Sequence, residues 1–180
     1  MRIIGGAFKS RMFSPGKNFK ARPTTDFARE NLFNILVNRV DFSEIKVLDL
    51  FSGTGSISFE FASRGCLDVT LVEFDYVHYT FINKVIGQLG IKDVIHPIKG
   101  DVFKYIARAE GKQFNLIFAD PPYQLQRLSE LPDLVMGSRL LNEQDSVFIL
   151  EHGKSNHFSE HPNFSEMRVY GSVHFTFFKP

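Results

Sequence analysis

Five short apolar runs, separated by enough chain for a crossover, limit this sequence to few architectures. Residues 46–51 (KVLDLF), 69–73 (VTLVE), 94–98, 114–119 (FNLIFA) and 146–151 (SVFILE) are near-continuous in apolar side chains, the third least so. Such runs read as strands covered on both faces, the pattern of a parallel sheet. Parallel neighbours need a connection of about a dozen residues or more, usually a helix, and the intervening segments are mostly that long. The alternation predicts an α/β doubly wound fold.

Helices fill the gaps unevenly. From Asp26, a candidate N-cap, the apolar residues Ala28, Leu32, Ile35 and Leu36 recur at helical spacing. Residues 56–64 conflict with this scheme, because Ile57, Phe59 and Phe61 alternate with Ser58 and Glu60 as in a strand. The segment is still expected to be a helix, since the two runs around it need a crossover and Gly65 suits a helix C′ position. Near the C-terminus, 167–170, Gly171-Ser172 and 173–178 read as a β-hairpin closing the sheet. With 20 phenylalanines and no tryptophan, phenylalanine is expected to fill many of the core sites.

Charge is distributed asymmetrically. Residues 1–25 hold Arg2, Lys9, Arg11, Lys17, Lys20 and Arg22 and no acid, so they carry +6 against −5 for the remainder. A basic arm on a mildly acidic body is the asymmetry of a phosphate-contacting extension, here expected to be extended with one turn at Ser14-Pro15-Gly16-Lys17-Asn18. Arg2 to Ile4 is a candidate short strand broken by Gly5-Gly6. The single cysteine, Cys66, excludes an intramolecular disulfide framework and fits a reducing cytosol. No apolar run approaches the roughly 20 residues that span a bilayer, and no apolar leader is expected. One domain covering residues 1–180, with 1–25 as its arm, is the expected organisation.

Two constellations carry chemistry. The first run enters a glycine-rich turn, Asp49-Leu50-Phe51-Ser52-Gly53-Thr54-Gly55, where backbone N–H groups approach a ligand closely at the next helix's start. As a GxGxxG it is imperfect, with Ser58 in the third place. Glu73 ends the second run, placed to accept from two ribose hydroxyls, and Phe74 follows as a surface for an adenine face. Asp101-Val102 follows the third run, where a carboxylate accepts from an exocyclic amine. Asp49, Glu73 and Asp101 are all expected to face the crevice at the carboxyl ends of the strands.

The second constellation, Asp120-Pro121-Pro122-Tyr123, follows the fourth run. Two prolines stiffen the backbone and lack N–H groups, leaving carbonyl oxygens free beside a carboxylate and a ring. A planar amine on a nucleic-acid base needs two acceptors to align its N–H bonds, and a surface to stack on. Asp120 and the Pro121 carbonyl are the candidate acceptors, and Tyr123 is the surface. Cys66 lies in no catalytic setting, which disfavours a cysteine-adduct route. His157 and His161 are four apart but beside Asn156 and Pro162, so they read as a loop, and no metal site is expected. Glu151-His152 ends the fifth run near the crevice and reads as a strand terminus with a candidate substrate contact.

These motifs resemble the amino-group methyltransferases of the Rossmann-like class I type. The N-terminal residues Met1-Arg2-Ile3-Ile4-Gly5-Gly6, Arg11, Arg22-Pro23-Thr24-Thr25-Asp26, Arg29-Glu30 and Leu32-Phe33-Asn34, with Gly171-Ser172-Val173 in the hairpin, narrow the resemblance to the bacterial 16S ribosomal RNA guanine-N2 methyltransferases of the RsmD family. That resemblance implies a mostly parallel seven-stranded sheet with helices on both faces and a C-terminal antiparallel hairpin. It also implies S-adenosylmethionine as cofactor, held by Asp49, Phe51, Gly53, Thr54, Gly55, Glu73, Phe74, Asp101, Val102 and Thr24. The target amine would lie at Asp120, Pro121, Pro122 and Tyr123. Ribosomal RNA, in an assembling small subunit, would meet Arg2, Lys9, Arg11, Lys20, Arg22 and Arg29, and the chain is expected to act as a monomer. The arm reads Phe8-Lys9-Ser10-Arg11 where family members often carry a more basic stretch.

Three other readings share parts of this pattern. Adenine N6 in DNA or RNA is also a conjugated amine, and only the N-terminal residues favour guanine. A nicotinamide-dependent oxidoreductase would share the glycine turn, but the Pro-Pro element and terminal hairpin argue against it. A non-catalytic RNA-binding scaffold leaves the acids and the tetrapeptide without a role.

Overall fold

The apolar runs form the parallel part of one sheet. The computed structural model describes residues 1–16, 25–108, 113–142 and 145–180. Strands β1 (Lys46–Leu50), β2 (Asp68–Glu73), β3 (Ile95–Lys99), β4 (Leu116–Ala119) and β5 (Val147–His152) run parallel. Strands β6 (Phe164–Tyr170) and β7 (Val173–Phe178) form the hairpin, with β7 inserted antiparallel between β5 and β6. The order is β3-β2-β1-β4-β5-β7-β6, which reverses direction between β1 and β4. In open α/β sheets that reversal opens a crevice at the strands' carboxyl ends, and ligands bind there.

Helices α1 (Asp26–Leu36), α2 (Ser56–Ser63), α3 (Tyr76–Leu89), α4 (Val102–Arg108) and α5 (Leu131–Gly137) cover the sheet. Alternate strand residues supply two cores. Val47, Val69, Leu71, Phe118 and Phe175 pack with α1, α2 and α3, while Leu48, Leu50, Ile117, Phe148 and Phe178 pack with α4 and α5. Phenylalanine fills the core as expected; Phe61 meets Phe33 and Phe42 edge-on at 4.8 and 5.8 Å. Among the described residues no helix is long and apolar enough to cross a membrane.

The segment with conflicting periodicity is a helix, and its burial explains the conflict. Every residue of α2 except Ala62 is buried, so no wet face is left to mark a helical stripe. Its polar side chains bond inward. Ser58 donates to Asp49, while Glu60 and Ser63 hold the N-terminal arm.

Residues 1–16 of that arm form a closed hairpin rather than an extended tail, and 17–24 lie outside the described residues. Arg2 bridges Met12 antiparallel, Ile3 N–H donates to the Arg11 carbonyl, and the α-amino group of Met1 donates to the Phe13 carbonyl. The Glu60 carboxylate accepts from the Ile4 and Gly5 N–H groups at 2.9 and 2.8 Å and pairs with Arg64 at 2.8 Å. Arg64 in turn lies 4.9 Å from the Phe33 ring centroid. Ser63 accepts from Phe8 N–H and donates to the Gly5 carbonyl.

One expectation at the start of α1 changes. Thr25, not Asp26, caps the helix, its hydroxyl accepting from Ala28 N–H at 3.2 Å. Asp26 instead pairs with Arg2 and Arg29 at 2.9 and 2.7 Å.

Glu60→Ala leaves two partly buried amides and a guanidinium without their carboxylate. About 2–4 kcal/mol of stability is expected to be lost in urea unfolding, with the Ile4 and Gly5 amides losing exchange protection. A loss under about 0.5 kcal/mol, the range of an ordinary surface substitution, would contradict the docking described.

Candidate active site

The strand order brings the turn after β1 beside the ends of β2 and β4. Ser52 N–H donates to the Val72 carbonyl at 3.1 Å, and Asp120 N–H to the Leu50 carbonyl at 3.3 Å. The glycine turn and the Asp-Pro-Pro-Tyr segment are therefore anchored to the same strand ends. In the turn, Phe51 has a φ of 60°, an uncommon conformation for a bulky side chain and one that clusters at functional sites. Gly55 has a φ of 74°, and a Cβ there would lie 2.8 Å from the Phe59 ring, so the backbone must be bare where α2 begins. Thr54 is buried beside it.

Glu73 fixes this turn. Its Oε2 accepts from Gly53 N–H and its Oε1 from Asp75 N–H, each at 2.7 Å, with His78 Nδ1 at 3.6 Å from Oε1. A carboxylate has about four acceptor positions, so two such bonds leave capacity for ribose hydroxyls. Phe74 is 72 % exposed beside it, a free ring face at the crevice. Asp101 begins α4, accepting from Lys104 N–H at 2.9 Å, and Val102 is buried behind it. Sequence reasoning missed the capping duty of Asp101 and the whole of Asp75, which caps α3 through the Val77 and His78 N–H groups.

Asp49 does not face the crevice as expected. It is 1 % exposed beneath the turn, and Ser58 Oγ donates to it at 2.6 Å. Burial pushes its carboxyl up to about 7 against the Ser58 hydrogen bonds, with the nearby charge of Glu73 adding to the rise. The partner was visible in the sequence as a departure: Ser58 occupies the place of the third glycine.

The tetrapeptide forms a rigid corner. Pro121 is buried, and the Pro122 carbonyl is not free but accepts from Leu125 N–H at 2.8 Å, closing a turn. Tyr123 is 41 % exposed, and its hydroxyl lies 3.4 Å from Glu151 Oε1. Farther along, the Arg127 guanidinium covers the Phe103 ring at 4.1 Å, and Phe103 meets Phe51 edge-on.

The candidate RNA contacts divide. Lys9 and Arg11 are exposed on the arm, and Arg2 is half exposed while paired with Asp26. Arg29 is corrected to a structural role. It is 1 % exposed, and its Nη2 donates to the Arg2 carbonyl and to Asp26, because helical spacing turns it under the arm. Thr24, Lys20 and Arg22 lie outside the described residues.

A parallel sheet with its switch point between β1 and β4, a glycine turn there, and an antiparallel terminal hairpin define a methyltransferase of the class I fold. The chain belongs to the family described as Conserved hypothetical protein 95, which matches residues 1–179. It is 28 % identical to Ribosomal RNA small subunit methyltransferase D of Buchnera aphidicola over 163 residues, covering 91 % of this chain and 82 % of the relative. To the protein of the same name from Escherichia coli K12 it is 28 % identical over 149 residues, 83 % of this chain and 73 % of the relative. The structure of a hypothetical protein from Thermus thermophilus superposes with a TM-score of 0.86 at 27 % identity, covering 100 % of this chain and 99 % of that one.

The residues present fit S-adenosylmethionine, the cofactor of this class. Glu73 retains acceptor capacity beyond Gly53 and Asp75, Phe74 offers an open ring face, and the Gly53 backbone has no other atom closer than 4.0 Å to where a Cβ would stand.

Asp49 yields a pH signature. Its folded pKa is raised, so the stability it contributes is full below about pH 4 and is lost as pH rises toward about 7. The stability difference between wild type and Asp49→Asn, from urea unfolding across that range, is expected to move against the wild type by up to about 4 kcal/mol and then level off. A pH-independent difference would contradict this placement.

Proposed function

We propose that this protein transfers a methyl group from S-adenosylmethionine to the exocyclic N2 amine of a guanine in 16S ribosomal RNA, acting in the cytoplasm as a monomer on the assembling small subunit. The observation that carries the reading is the Asp120 corner, anchored at Leu50 beside the glycine turn and flanked by the exposed Tyr123 ring. The names of the relatives support a ribosomal RNA target. The run Arg22-Pro23-Thr24-Thr25-Asp26 and the other N-terminal matches favour guanine over adenine.

When bound, S-adenosylmethionine supplies a methyl group on a cationic sulfur, the electrophile that the amine attacks. Gly53, Thr54 and Gly55 would hold its methionine part, Glu73 and Phe74 its nucleoside, and Asp101 its adenine amine, with Phe51 and Val102 as apolar walls. Asp49 supports this set from beneath the turn. Asp120 and the Pro121 carbonyl accept the two N–H groups of the target amine, which turns the nitrogen lone pair toward the crevice. Tyr123 stacks on the unstacked base. As the N–C bond formed, the methyl–sulfur bond would break with its electron pair left on sulfur as neutral S-adenosylhomocysteine, and the surplus proton on nitrogen would pass to the Asp120 carboxylate or to water. Alignment supplies most of the acceleration. Lys9 and Arg11, with Arg2 beside them, meet RNA phosphates from the docked arm.

Asp120→Ala is expected to lower methyl transfer by about 10²-fold or more while leaving cofactor affinity within a few-fold. Retained turnover would remove Asp120 from this role. Glu73→Ala, measured by calorimetry with S-adenosylhomocysteine, is expected to weaken binding by roughly 10- to 100-fold. Unchanged binding would count against the cofactor assignment.

A further inference from the structure

The end of β5 is built more rigidly than a strand terminus requires. His152 is fully buried, with Nδ1 2.9 Å from the Gly153 carbonyl and Nε2 2.7 Å from Thr176 Oγ1. A carbonyl only accepts, so Nδ1 carries the proton and Nε2 accepts from the threonine hydroxyl. This lock fixes Gly153, on which Tyr123 lies; a Cβ at Gly153 would stand 3.2 Å from the Tyr123 ring. The next residue back is Glu151, 2 % exposed, with the Tyr123 hydroxyl at 3.4 Å.

Register places this carboxylate against the catalytic corner. Ala119 pairs with Leu150 in the parallel β4–β5 ladder, so Asp120, just past β4, and Glu151 follow at the same level, where neighbouring backbones run about 4.8 Å apart across the ladder. The Watson–Crick edge of guanine carries N1–H directly beside its N2 amine. Adenine, beside its N6 amine, carries an N1 acceptor instead. With the amine held at Asp120 and the N1 side of the base turned toward β5, N1–H would meet Glu151.

We propose that Glu151 is the specificity-determining residue that accepts N1–H of the target base, choosing guanine over bases whose N1 is an acceptor. The assignment rests on the amino-group reading above. Tyr123 carries the base into reach of Glu151, and Gly153 leaves the room in which that ring lies flat. A base with an N1 lone pair sets two acceptors against each other, and a site built around a hydrogen bond rejects such a partner strongly.

The probe is 2-aminopurine, which keeps the 2-amine but has an acceptor at N1. Small-subunit particles reconstituted with guanosine or 2-aminopurine riboside at the mapped target are compared as substrates for wild type and Glu151→Gln, whose amide can donate to N1. Wild type is expected to prefer guanine by at least about 100-fold in kcat/KM, and Glu151→Gln to bring the ratio within about tenfold, with S-adenosylhomocysteine binding unchanged. A wild type that uses both bases equally overturns the assignment, whatever the variant's folding. A variant slower on both bases by the same factor overturns it too, and leaves Glu151 a structural residue. If the wild type methylates neither base, the functional reading fails first and this assignment with it.

Discussion

Helix α2 has almost no solvent-facing side, and the rest of the site depends on how its polar groups are satisfied. A buried hydroxyl or carboxylate without a partner costs more than a typical hydrogen bond contributes, so each must be matched. Ser58 is matched by Asp49, the strand residue beneath the glycine turn. Glu60 is matched by the arm's backbone and Arg64, and Ser63 by Gly5 and Phe8. One short helix thus fixes the cofactor turn at its start and the basic arm at its end.

Each parallel strand has an acid within two residues of its carboxyl end, and environment divides their work. Asp49 is buried and has its carboxyl raised to about 7. Glu73 is committed to the N–H groups of Gly53 and Asp75, and Asp101 to the start of α4. Asp120 sits half-buried at the proline corner, and Glu151 is enclosed behind Tyr123. The same side-chain type serves as loop anchor and helix cap because the sheet presents it in different surroundings.

Strands, hairpin and site order were legible because they depend on local pattern: apolar runs, a glycine turn, and Gly171 between two alternating segments. What was not legible depended on long-range packing. The periodicity of 56–64 resembled a strand because the arm buries the face that would have been wet. Arg29 looked like an RNA contact until the helix turned it under Arg2, and Asp26 looked like a cap until Thr25 took that place. Asp49 ranked with the crevice acids because strand position does not report depth. The Ser58 departure from the glycine pattern was visible, but its meaning needed the 2.6 Å contact.

The central claim is the identity of the methylated atom. Small-subunit particles from a strain lacking the enzyme, incubated with the protein and tritium-labelled S-adenosylmethionine, then digested to nucleosides, test it most directly. The account predicts label in N2-methylguanosine at one mapped site of 16S RNA. Label in N6-methyladenosine, or on a ring carbon or ribose oxygen, would contradict it.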